Sequence, residues 1–80
     1  MEYRLISVTN NSSFRILDFK LDMESRKRLN NMGIFRNDLY IRTAGNGMGP
    51  VLIQNLTNHS TPIALGRELA EGIVVELTEV

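Results

Sequence analysis

Between Gly45 and Pro50 the chain reads GNGMGP, three glycines in five positions. Such a stretch can cradle a phosphate on exposed backbone N–H groups. The spacing argues against it. A dinucleotide fingerprint needs G-x-G-x-x-G after a strand and opening a helix, so that helix-terminal N–H groups meet the pyrophosphate. Here the pattern is G-x-G-x-G, no Gly-Lys-Ser/Thr follows, and the next residues, PVLIQNL, are β-branched and apolar without helical period. With the strand-like DLYIRT in front of it, the loop reads as the turn of a β-hairpin, with a ligand loop as the alternative.

Other residues capable of chemistry are sparse. His59 is the only histidine, and its neighbours in NHST supply no second metal ligand, so it reads as a solvated turn residue. Glu68 and Glu71 could give oxygen ligands to a metal ion, but two carboxylates on one helical turn are ordinary surface charge unless further ligands join them. No metal site and no cofactor are therefore assigned. There is no cysteine, His59 has no sequence-local carboxylate to orient it, and the serines lie in turn clusters or on a helix. No catalytic residue is assigned, and an enzyme is not expected.

The strongest charge feature is Arg26-Lys27-Arg28, with Arg36 nearby. Three consecutive helical charges fan over roughly 200°, so their stems flank any buried stripe. Either they form a solvated face, or they form a patch that speeds and orients docking on an acidic partner. Met48, at the loop tip, is either an ordinary exposed apolar residue or an adaptable contact. Arg26, Lys27, Arg28, Arg36 and Met48 are thus the candidate partner-binding residues. A proline-peptide groove wants clustered aromatics, and Tyr3, Phe14, Phe19, Phe35 and Tyr40 are mostly needed for the core.

These residues must sit on a small frame. Eighty residues, 42% hydrophobic and 22% charged, make one globular domain over 1–80, which buries roughly 60% of its unfolded surface. Nine basic residues balance nine acidic ones, where a nucleic-acid binder would carry excess positive charge. No segment approaches the ~20 apolar residues of a membrane span, and the N-terminus lacks the apolar core of a signal peptide. A cytoplasmic protein is expected, without membrane insertion.

The best-marked element is a helix over DMESRKRLNNMG. Asp22 is the N-cap, Glu24 favours the positive end of the dipole, and Leu21, Ser25, Leu29 and Met32 trace the buried stripe. Gly33 is the left-handed C′ residue, with Ile34 packing back on Leu29. YRLISV reads as a short strand or arm, and FRILDFKL as a strand with apolar residues on both faces. LYIRT is a strand with Leu39 and Ile41 inward and Tyr40 and Arg42 outward. VLIQNL and IVVEL are further strands, and IALGRELAEG is a short strand running into one helical turn over Gly66–Ala70. Asn37 can supply a positive φ in the FRND turn. Five or six short strands with a single inserted α-helix predict a mainly β fold, a small twisted barrel.

Three stretches carry a family resemblance: RKRLNNMGI, then Gly49-Pro50 in a glycine-containing loop, then IALGRELAEGIVV. Arg26, Leu29, Met32 and Gly33, then Gly49-Pro50, then Ala64-Leu65, Ala70, Ile73 and Val75 resemble the ferrous iron transport protein A (FeoA) family in order and spacing, over about Leu5 to Leu77. Departures lie in turns, with Arg36-Asn37 where members usually have Pro-Gly, and a longer TNHST turn. The resemblance implies an SH3-like β-barrel that acts as a small cytosolic partner of a ferrous-iron permease bearing a G-protein domain, held near the inner face of the membrane through that partner. It equally implies an alternative, since similar barrels form the C-terminal domain of iron-dependent repressors: a metal-responsive regulatory module. The resemblance is compatible with transient contact with Fe(II), which no ligand cluster in the sequence marks.

Overall fold

Asp22 holds extended backbone, and its carboxylate accepts from the Ser25 N–H at 2.8 Å, so helix α1 (Met23–Asn31) begins one residue later. The computed structural model describes residues 2–45, 49–58 and 61–78; Met48 and His59 lie outside these. The helix ends in a complete Schellman motif. Gly33 has φ 88°, its N–H donates to Asn30 O at 3.0 Å, and the Ile34 N–H reaches Leu29 O at 3.0 Å. Leu29 and Ile34 are both fully buried. The expected stripe is narrower than its spacing implied: Leu21 and Ser25 are half-buried and Met32 is 37% exposed. A Cβ added at Gly33 meets nothing within 4 Å, so only backbone strain opposes a side chain there. Gly33→Val should cost ~1–2 kcal/mol, read as a melting temperature lower by roughly 5–10 °C.

Among the described residues six strands form one antiparallel sheet in the order β1-β6-β2-β3-β4-β5. They are β1 (Glu2–Arg4), β2 (Ser13–Phe19), β3 (Leu39–Ala44), β4 (Val51–Asn55), β5 (Ile63–Leu65) and β6 (Ile73–Leu77). This is a mainly β, SH3-like fold with the helix inserted between β2 and β3. Backbone pairing does not close it, for β1 and β5 remain the two edges. The second helix, α2 (Arg67–Gly72), joins β5 to β6 and packs on β1 and on the 3-10 turn Leu5–Ser7. There Arg4 Nη1 donates to Glu71 O at 2.8 Å. The single helical turn expected over Gly66–Ala70 is this element, with Gly66 as its N-cap.

The glycine-rich loop joins β3 to β4, which pair antiparallel through Tyr40↔Asn55 and Arg42↔Ile53. A strand, not a helix, comes after Pro50, so the hairpin reading holds. Asn37 takes φ 73°, as its turn required. β2 alternates until a bulge at Leu17, between the pairs Ile16↔Val75 and Asp18↔Val74. The bulge lets Phe19 join Phe14 and Ile16 in the core despite its odd spacing. In the turn after β4, Asn55 is buried and its amide oxygen accepts from the Thr57 and Asn58 N–H groups at 2.7 and 3.1 Å.

One expectation is inverted. Tyr40 is fully buried and Arg42 only 7% exposed, whereas Leu39 and Ile41 are half-buried on the opposite side of β3. The physical reason is that both polar tips find backbone acceptors. The Tyr40 ring lies 6.0 Å from that of Phe14, stacked at 20°, and its hydroxyl donates to Gly33 O at 3.2 Å. Burial pushes the Tyr40 phenol above its ordinary pKa. Arg42 Nη1 donates to Ile6 O at 3.2 Å and to Val8 O. The sheet thus uses an arginine to tie down the N-terminal arm, whose Leu5 and Val8 are core residues.

Candidate functional site

The register Val51↔Leu65 sets the start of β4 against the end of β5, so Pro50 and Gly66 face each other one step beyond the ladder. Gly49 precedes Pro50, and Arg67, Glu68 and Leu69 open α2 behind Gly66. The last turn of α1 brings Arg28 over the same place, because Leu29 beside it is anchored in the core. Together these residues line an open groove of about 560 Å³. Its volume lies within the usual range for ligand sites, and it mixes apolar wall with a few charges.

Pro50 and the half-buried Leu69 supply apolar surface, and the two glycines leave backbone uncovered. Gly66 has open space where a Cβ would stand. Among the described residues neither Arg28 nor Arg67 makes an ion pair; Lys20–Asp18 at 3.4 Å does. Arg28 also lies in the last turn of α1, where a cation meets the negative end of the helix dipole. The Asp22 carboxyl sits below its ordinary pKa, held there by the backbone N–H and hydroxyl of Ser25, with the Arg28 field adding to them. Two guanidiniums and one carboxylate around an apolar wall can bind; no serine, threonine, cysteine or histidine among the described residues lines the groove to act as nucleophile.

Of the candidate partner-binding residues that the structure describes, Arg28 alone reaches this groove. Arg26 and Lys27 are exposed elsewhere on α1. Arg36 is exposed, and its Nε donates to Leu17 O at 3.3 Å. Met48 lies outside the described residues. Glu68 reaches the groove whereas exposed Glu71 does not, and among the described residues no three acidic or histidine side chains gather into a metal-holding cluster. Sequence reasoning did not single out Arg67 or Leu69 as site residues. The signal lay in the three matched stretches, which meet here: the basic helix, Gly49-Pro50 and the start of α2. Beside Arg28, one helical turn on, Met32 continues the same face, and Phe35 beyond it is 50% exposed.

No protein-family model and no curated protein matches this chain. Solved structures do. A crystal structure of the iron uptake regulatory protein FeoA superposes with a TM-score of 0.87 at 19% identity, covering 98% of this chain and all of that one. An NMR structure of a FeoA-like protein from Clostridium acetobutylicum gives 0.82 at 19% identity, over 99% of this chain and 90% of that one. A manganese-dependent transcriptional repressor in complex with manganese gives 0.86 at 14% identity, over 96% of this chain but 37% of the repressor. The likeness is one of fold. It bears out the SH3-like architecture and the FeoA resemblance at that level.

Proposed function

We propose that this chain, built on the fold that FeoA shares over its whole length, is a small accessory protein that binds the cytoplasmic G-protein domain of a ferrous-iron permease and modulates Fe(II) uptake. One observation carries the reading: the three stretches that resemble FeoA converge on a single open groove whose guanidiniums have no ion-pair partner among the described residues. Such a groove suits a protein that acts by touching another. An adaptor alters transport only if it binds two states of the permease unequally, so modulation is the difference between two affinities. It works at the inner face of the membrane, held there by its partner; among its described residues no helix is long and apolar enough to cross a bilayer.

Capture of the permease's soluble G-protein domain by the immobilised chain tests this. Binding at micromolar concentration and low salt, weakening as ionic strength rises, is expected. No capture at low salt would remove the reading. The fold likeness to manganese-dependent repressors favours a second one, a metal-responsive regulatory module. The described residues supply no ligand cluster for it, and calorimetry with Fe(II) or Mn(II) under anaerobic conditions separates the two.

A further inference from the structure

We infer that the groove between α1 and α2 receives an acidic, apolar linear segment of a partner protein, with Arg28 and Arg67 holding carboxylates and Pro50 and Leu69 seating an aliphatic side chain. The inference rests on the docking function proposed above and names what the site takes. Charge complementarity selects the occupant. Arg28 and Arg67 approach the groove from different helices, neither makes an ion pair among the described residues, and Glu68 is the only carboxylate those residues place in the lining, Asp22, which feels the Arg28 charge, lying outside it. A guanidinium presents a planar fork that matches a carboxylate in two parallel hydrogen bonds. Two such forks set apart by an apolar wall fit alternating acidic and aliphatic side chains better than one compact anion. Gly49 and Gly66 add no side chains, so an extended backbone can lie close to the wall. Glu68 excludes a third carboxylate on its side and so fixes the direction in which the segment lies.

The probe is a short fluorescein-labelled peptide of alternating Asp and Leu, titrated against the full chain by anisotropy and by ¹H–¹⁵N spectra. Saturable binding is expected, with the largest amide shifts at Gly49, Gly66, Arg67 and Leu69. Arg28→Glu combined with Arg67→Glu should weaken it at least ~tenfold by reversing both charges. Gly66→Leu should weaken it without any change of charge, because the new side chain enters open space in the groove. Lys20→Glu, a charge reversal outside the groove, should leave it unchanged.

Three results would overturn the inference: amide shifts mapping elsewhere, equal binding by a Lys-Leu peptide, or displacement by inorganic phosphate beyond that of chloride at matched ionic strength. The last would assign the groove to a phosphorylated ligand. The two proposals fail separately. Permease-domain capture that survives the double charge reversal removes the groove assignment and leaves the docking function standing. Loss of capture by wild-type chain that still binds the peptide does the reverse.

Discussion

Arg42→Ala should lower the stability of the fold by about 3 kcal/mol, a large part of what an 80-residue domain holds. The side chain is 7% exposed, and its Nη1 serves two carbonyls of the N-terminal arm, those of Ile6 and Val8. Removing it leaves both carbonyls short of a donor, at ~1–3 kcal/mol for each buried group left unsatisfied, and opens a cavity beneath the arm. One effect opposes this. The guanidinium has no buried counter-ion among the described residues, and its Nε finds no acceptor there, so its removal recovers desolvation energy. The lost hydrogen bonds win, because they tie a segment whose Leu5 and Val8 belong to the core.

Arg42→Met separates the parts: it keeps most of the volume, supplies no donor and should lose ~2 kcal/mol. Thermal unfolding gives the magnitude. Amide exchange gives the place, with the Val8 N–H, now bonded to Leu5 O at 3.0 Å, exchanging faster as the arm loosens. A methionine variant as stable as the parent would mean that Arg42 serves only as volume.

That same arginine marks where the sequence misleads. In LYIRT the alternation is plain, but its phase is not, since each face carries a residue with an apolar body. Hydropathy sends Leu39 and Ile41 inward. The protein does the opposite, because Gly33, Ile6 and Val8 offer carbonyls to the tips of Tyr40 and Arg42, and these acceptors are remote in sequence or set by the fold. Helix α1 was legible for the contrary reason. Its Asp22 cap, the Gly33 stop and the Leu29–Ile34 contact are all local, within one turn of where they act. The glycine-rich hairpin was legible too, because the β-branched run Val51–Asn55 behind Pro50 has no helical period, whereas the glycines by themselves fit either reading.

The groove was legible by halves. Arg28 stood out because it belongs to a run of charge, although the run does not act as a unit: Arg26 and Lys27 lie away from the groove that Arg28 lines. Arg67 sits alone in GREL and gives no signal of its own. It becomes a site residue through pairing, because Val51↔Leu65 fixes the start of β4 beside the end of β5. Side chains from three separate segments meet there, and no window of sequence spans them all.

The pairing that builds the groove continues into a tight contact at the far end of α2. Gly72→Ala should cost ~1–3 kcal/mol, the range for overpacking a filled interior. Gly72 is buried where α2 passes into β6, and its carbonyl accepts the Lys20 N–H at 2.7 Å. Its φ is not among the left-handed ones, so backbone conformation does not demand glycine. Close approach does. An added Cβ would collide first with Leu21 Cδ2, and would stand 2.6 Å from Leu21 Cγ and 3.1 Å from Lys20 O. Leu21 can swing away only by giving up its packing on the core, and the Lys20 carbonyl can retreat only by stretching the neighbouring hydrogen bond. A second substitution identifies the cause. Leu21→Ala removes the colliding branch, so the double variant should be more stable than the sum of the two single losses predicts, with a coupling of ~1 kcal/mol measured by chemical denaturation. Strict additivity would mean that the strain lies in the backbone at Lys20, and that the leucine merely covers it.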